Sequence, residues 1–267
     1  MEHDEHVGTV EETKEEVRPP LQLIDARIMS IPESAYYIPG FITQDEEDRL
    51  LQKILSVPVP RWTQLSRRRL QTWPSALTKS NTLLASPLPT WLVSPIISRI
   101  TALGIFRDSP HHAPNHVLIN EYKSGQGIMP HEDGAAYYPV VATVSLGAPI
   151  VLEMSEKIAD RANTGQAGEG IGAEAQETTP SRFRILQERR SLLITTGKLY
   201  TDFLHGIEER KGDADLNSEA VCNWELLGDK DAFAAGSYER ETRISLTYRD
   251  VLKVSKLGNT MKFLGPR

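Results

Sequence analysis

His131 and Asp133 stand one residue apart, directly after Pro130. A proline disfavours helix at the residue before it, and in an extended chain residues i and i+2 face the same side. An imidazole and a carboxylate at that spacing can converge on one point, supplying two of the three donors that hold non-haem Fe(II). A surface histidine beside a turn carboxylate would leave the same pattern, so the pair needs a partner from elsewhere. His205 is the only histidine downstream of residue 131, and in a curled β-fold a late strand can bring it to the pair. Two imidazoles and a carboxylate leave coordination positions open, unlike a closed structural zinc site. Open positions call for a co-substrate. Near the end of the chain Ile244, Leu246 and Tyr248 alternate with Arg243, Ser245, Thr247 and Arg249, a strand with one polar, basic face. Arg243 and Arg249 share that face and form a double cation suited to a dicarboxylate, although Arg249 could also pair with Asp250 or another surface carboxylate.

A second group of chemistry-bearing residues lies between 61 and 73, where Arg61, Arg67, Arg68 and Arg69 are interleaved with Trp62 and Trp73. Guanidinium groups bind phosphate in bidentate fashion and aromatic rings stack on bases, so the mixture suits a single-stranded or flipped-base nucleic acid. Rings packed into a core beside a solvated arginine face would read the same way. His111, His112 and His116 sit in a proline-flanked loop and read as solvent-facing or substrate-side groups. Glu132, between the two donors, should point away from a metal.

The elements that must position these groups are mostly strands. Val117, Ile119 and Glu121 alternate with Leu118, Asn120 and Tyr122, and a Ser/Gly turn at 123–127 leads into His131. Residues 35–42 read as a short strand and turn. Thr43 and Glu46 form a capping box ahead of a helix whose Leu50, Leu51, Ile54 and Leu55 fall on one face, and Pro58 stops it. The stripe Leu92, Ile96, Ile100, Leu103 predicts a second helix over Trp91 to Leu103 with Pro95 in its first turn. The β-branched run from Val140 to Met154, broken at Gly147 and Pro149, predicts two buried strands joined by a turn, and residues 191–195 another short strand. Residues 155–180 and 208–240 lack apolar periodicity and read as flexible, polar insertions. The expected architecture is mostly β (α+β), a jelly-roll fold with N-terminal helices packed on one side.

Composition narrows the class. The chain of 267 residues is long enough to bury roughly three quarters of its unfolded surface. One cysteine, Cys222, excludes an internal disulfide and a multi-cysteine zinc site, reads as a free loop thiol, and fits a reducing compartment. No run approaches the ~18 apolar residues of a membrane helix, so the expectation is a soluble protein of cytoplasm and nucleus without a membrane partner. Residues 1–20 hold seven acidic and two basic residues, which accounts for most of the net charge of −6. They read as a disordered acidic tail, ahead of a single domain over 21–267 that is nearly neutral overall.

Taken in order, Leu118-Ile-Asn120-Glu-Tyr122, His131-Glu-Asp133, His205 and Arg243-Ile-Ser-Leu-Thr-Tyr-Arg249 resemble the AlkB family of Fe(II)- and 2-oxoglutarate-dependent dioxygenases. Further segments are most like one eukaryotic branch of that family: Arg68-Arg-Leu-Gln-Thr-Trp73, Gly127 to Gly134 with Tyr137-Tyr-Pro139, Thr143 to Gly147, Arg190 to Leu193 and Leu204 to Ile207. The resemblance covers about residues 30–255 and implies a double-stranded β-helix in which His131, Asp133 and His205 bind iron. It implies that Asn120, Tyr122, Arg243 and Arg249 hold 2-oxoglutarate, with Ser245 and Thr247 as further candidates. O₂ would complete the reaction, an oxidative demethylation of N-alkylated RNA or DNA for which Arg61, Arg67, Arg68, Arg69 and Trp73 are substrate-side candidates. Two departures from the family put the substrate rim in question: the insertions, and Pro74-Ser75 where related chains often carry glycine. A protein side-chain demethylase or hydroxylase, or a binding module without turnover, would fit the same residues, because a fold does not select a substrate.

Overall fold

The computed structural model describes residues 22–31, 34–157 and 181–255. The tail at 1–20 lies outside them, as does the insertion at 155–180 apart from Ser155 to Lys157. The strands are β1 (Ala35–Ile38), β2 (Thr63–Gln64), β3 (Arg69–Trp73), β4 (Thr82–Leu84), β5 (His116–Tyr122), β6 (Ile128–His131), β7 (Val140–Leu146) and β8 (Ile150–Glu156). They continue with β9 (Arg182–Gln187), β10 (Leu192–Thr196), β11 (Phe203–Ile207), β12 (Gly212–Asp213), β13 (Tyr238–Glu239), β14 (Arg243–Arg249) and β15 (Lys253–Ser255). The helices are α1 (Gln44–Leu55), α2 (Thr90–Val93), α3 (Ile96–Ala102) and α4 (Gly197–Thr201).

Two antiparallel sheets face each other. The larger runs β1-β10-β7-β14-β5-β3-β2 and the smaller β6-β11-β8-β9. Residues of both line one cavity between them, the arrangement of a double-stranded β-helix. The run from Val140 to Met154 does form two strands, and its turn carries the chain from one sheet to the other. Gly147 makes that turn at φ +81°, and a Cβ there would lie 2.7 Å from the Thr242 carbonyl, so only glycine fits without movement.

Strand β14 explains why the larger sheet has two unlike faces. Its period of two sends Ile244, Leu246 and Tyr248 into a core with Leu50 and Ile54 of α1 and Leu92, Ile96 and Ile100 of α2 and α3. Arg243, Ser245, Thr247 and Arg249 face the cavity instead. Helix α1 opens on the capping box of Thr43 and Glu46, whose side chains accept from Glu46 N at 3.2 Å and Thr43 N at 2.9 Å. The fully buried Glu47 then ties α1 to the sheet edges, accepting from Gly147 N at 2.7 Å and from Arg189 Nη2 at 2.7 Å.

Two expectations differ from the structure. The helix over Trp91 to Leu103 is two helices, because Ser94 before Pro95 is extended (φ −108°, ψ 129°), as a residue preceding proline prefers. The segment 208–240 carries more core than its polar composition suggests. It holds β12, β13 and two 3₁₀ turns, and Leu216, Val221, Leu227 and Phe233 join a core with Ile185, Leu186 and Phe203. Its polar residues are partly internal: Arg240 clamps Asp213 through two hydrogen bonds of 2.7 Å, both side chains buried. Among the described residues no helix is long and apolar enough to cross a membrane.

Candidate metal and co-substrate site

His131 and His205 meet because β6 and β11 are neighbours, with the two residues directly opposite in register. Their rings lie 4.3 Å apart between centroids. Close approach of the two strands depends on Gly127, where a Cβ would lie 2.2 Å from the Ile207 carbonyl. Asp133 follows β6 and completes a cluster in which one ligand atom from each of the three residues lies within 4.8 Å of the others. The ring of His131 is oriented from behind. Its Nδ1 donates to the Met129 carbonyl at 3.0 Å, since a carbonyl can only accept, which makes Nε2 the ring nitrogen available to a metal. Burial lowers the His205 pKa to about 4, with Asp133 opposing the shift and His131 and Arg249 adding to it. His205 is therefore a neutral imidazole at physiological pH, the form that ligates a metal.

Asp133 is held by an ion pair from Arg249 Nη2 to its Oδ1, with both side chains nearly buried. This is the partner of Arg249, and Asp250 takes a different one: it accepts from Asn115 at 2.7 Å and meets His111 at 2.6 Å. With Arg249 on Oδ1, the other carboxylate oxygen is left for a cation. Two imidazoles and a carboxylate so disposed suit one face of an octahedral ion such as Fe(II). Glu132, between the donors, pairs outward with Lys157.

The cavity, of about 300 Å³, extends from this cluster along β14 and β5. Register places Arg243 opposite Tyr122, Ser245 opposite Asn120 and Arg249 opposite His116. Arg243, only 2 % exposed, has no carboxylate partner among the described residues; burial lowers its pKa to about 10, which leaves it protonated. Its Nε is buried without a hydrogen-bond partner, as is that of Arg249. A buried, uncompensated guanidinium is costly unless an anion joins it. Arg243 is in that state whereas Arg249 is paired with Asp133, and a dicarboxylate suits a cavity that holds one unpaired cation along the strand from a metal-ligand cluster. Burial raises the pKa of Tyr122, so its phenol stays a donor.

Of the five substrate-side candidates, Arg68 alone lines the cavity, its Nε donating to Asn120 Oδ1 at 3.1 Å. Arg67 is exposed and meets Glu209 at 3.2 Å. The others face the helices. Arg61 covers the Trp73 ring at 3.7 Å and donates to the carbonyls of Thr72 and Pro74. Arg69 forms a two-pronged pair with Glu121 (2.7 and 2.5 Å), and Trp73 packs edge-on to Trp91 at 5.6 Å. His116 is buried with its Nε2 on the Ser75 carbonyl at 3.2 Å, which takes it out of the solvent-facing set; His111 and His112 remain nearer the surface. Tyr137 and Tyr200, not expected from the sequence, line the same cavity as Asp133. Tyr137 lies under the Arg249 guanidinium at 5.0 Å, and it stood within a segment already singled out for its resemblance. Ser145 on the neighbouring strand and Gln187 from the facing sheet, which both meet Arg243, were missed too and had no local signal.

The chain belongs to the 2OG-Fe(II) oxygenase superfamily, whose pattern it matches over residues 34–249. As a member it is an oxidoreductase that takes Fe(II), 2-oxoglutarate and O₂, and the donor set and cations just described fit those groups. Among curated proteins it is 40% identical over 229 residues to a Danio rerio protein named probable RNA/DNA demethylase ALKBH6, covering 85% of this chain and 89% of that one. It is 25% identical to the Mus musculus tRNA (carboxymethyluridine(34)-5-O)-methyltransferase ALKBH8, covering 84% of this chain but 31% of that protein. Among solved structures, OsALKBH1 superposes with a TM-score of 0.47 at 14% identity, covering 82% of this chain and 98% of that one.

Proposed function

We propose that this oxygenase removes N-alkyl groups from nucleic acid, RNA or DNA. One observation carries the reading: a single cavity holds His131, Asp133 and His205, the cations Arg243 and Arg249, and Arg68. On this reading the three donors hold Fe(II). The distal carboxylate of 2-oxoglutarate lies on Arg243, with Tyr122, Ser245 and Thr247 as hydroxyl donors beside it and Arg249 steadying Asp133. When bound, iron, 2-oxoglutarate and O₂ would supply the oxidation that hydroxylates an N-methyl carbon, with O₂ as the oxidant and 2-oxoglutarate leaving as succinate and CO₂; the hydroxylated product releases formaldehyde.

The substrate class is supported by the name of the Danio rerio relative and by Arg68. Asn120 holds the Arg68 side chain through Nε, which leaves its terminal nitrogens for phosphate or a base edge. The substrate set narrows to Arg68 and the exposed Arg67, since Arg61, Arg69 and Trp73 are engaged on the helix side. With one cysteine in the chain, cytoplasm and nucleus are the proposed locations.

The test is succinate formation from 2-oxoglutarate with purified protein and Fe(II), alone and with methylated single-stranded DNA, RNA or peptide pools. An oligonucleotide pool should stimulate turnover, and binding should weaken steeply with salt. Arg68→Ala should lower oligonucleotide affinity roughly tenfold or more. Stimulation by methylated peptides and by no oligonucleotide overturns the reading.

A further inference from the structure

Arg243 is held by neutral acceptors. Its Nη2 donates to Ser145 Oγ at 2.9 Å and to Gln187 Oε1 at 3.1 Å, and Ser145 Oγ in turn donates to the same Gln187 oxygen at 3.3 Å. All three residues are at most 3 % exposed. Gln187 ends β9 in the smaller sheet, whereas Ser145 and Arg243 belong to β7 and β14 of the larger one. The triangle therefore fastens the two sheets together at the deep end of the cavity. Its donors fix the amide: Gln187 Oε1 receives both hydrogen bonds, so the NH₂ group is left for whatever occupies the cavity that Gln187 lines.

A carboxylate in place of this amide would orient Arg243 equally well and neutralise it. An amide orients the guanidinium and leaves its charge uncompensated. We propose that Gln187 is a positioning residue for co-substrate binding: it holds Arg243 in place as an unneutralised cation, and with its NH₂ group it makes the deep end of the cavity selective for a carboxylate. The inference rests on Arg243 being the anchor of the distal carboxylate of 2-oxoglutarate.

The experiment measures 2-oxoglutarate affinity calorimetrically on the full chain loaded with Mn(II), for the wild type, Gln187→Glu, Gln187→Leu and Arg243→Met. The metal-only protein is melted in each case to show that it folds. Gln187→Glu is nearly isosteric and should weaken 2-oxoglutarate by roughly 100-fold, through the internal counter-ion it supplies. Gln187→Leu, which loses the hydrogen bonds from Arg243 and Ser145 and the NH₂ donor but adds no charge, should weaken it by about tenfold. Both should act on the KM for 2-oxoglutarate and spare kcat at saturation. The mono-amide of 2-oxoglutarate should lose less affinity in Gln187→Glu than 2-oxoglutarate does, because a neutralised Arg243 no longer demands an anion. Unchanged affinity in the two Gln187 variants, with Arg243→Met impaired, overturns the role of Gln187 alone. Unchanged affinity in Arg243→Met overturns the anchor on which the inference rests.

Discussion

At the scale of the residue, the cluster divides its work between donors and the groups behind them. His131→Ala should abolish Fe(II)-dependent succinate formation while leaving the melting temperature within a few degrees of wild type. Turnover retained in that variant would remove His131 from the metal set. Asp133→Ala should abolish turnover as well, but with a loss of stability, because Arg249 is left as a nearly buried, unpaired cation. Protonation gives another handle. His116 and His205 are both brought to a pKa of about 4, each mainly by burial. The unfolded chain thus binds protons that the folded chain refuses. Their contribution is fully present above about pH 6.5 and is lost as the pH falls toward about 4. Urea unfolding of metal-free protein should show a midpoint that falls across this window, and His116→Phe should flatten part of the fall. A midpoint independent of pH there would contradict the buried neutral state of both rings. The grouping of His131, Asp133 and His205 was legible because His131 and Asp133 stand one residue apart and His205 had no downstream rival. The place of Arg69 was not, since sequence alone does not say which face of β3 looks inward: Arg69, Gln71 and Trp73 share the face toward the helices, where Gln71 reaches Ile54 O at 2.9 Å; Arg61, in a 3₁₀ turn ahead of β2, is taken up by the Thr72 and Pro74 carbonyls.

At the scale of the element, β14 was the easiest to read, because its alternation of apolar and basic residues already separates the helix side from the cavity side. The break between α2 and α3 was signalled by Pro95, but an apolar stripe that continues across a proline hides it. In the 208–240 segment the buried apolar residues are widely spaced, and its polar residues satisfy one another internally, so no period betrays a core. Helix α1 illustrates how an element is fixed by a single side chain. Glu47 joins it to the β7–β8 turn through Gly147 and to the end of β9 through Arg189. Glu47→Ala should cost about 2 kcal/mol, since it leaves the part-buried Gly147 N–H and the half-exposed Arg189 without their acceptor. Thr43→Ala, at the cap, should cost about 1 kcal/mol. Equal losses in denaturant titrations would mean that Glu47 acts as one more surface charge.

At the scale of the whole molecule, the double layer places the unpaired Arg243 and a metal-ligand cluster inside one chamber, and an occupant that compensates both should stabilise the fold. Mn(II) with 2-oxoglutarate should raise the melting temperature by several degrees, as saturation at about 100 times Kd is worth about 2.7 kcal/mol. 2-Oxoglutarate without metal should do much less, and an equal shift in both cases would separate its binding from the metal cluster. The layered fold was predictable from strand number and patterning. The triangle of Arg243, Ser145 and Gln187 was not, because it joins residues from three strands and both sheets.

The burial of Arg243 also sets a traffic rule. Arg243 is only 2 % exposed while Arg68 is partly exposed, so on the proposed reading a substrate seated over Arg68 closes the small acid's way to Arg243. Steady-state kinetics should then follow a compulsory order, co-substrate first, with succinate the last product to leave and an inhibitor competitive against 2-oxoglutarate.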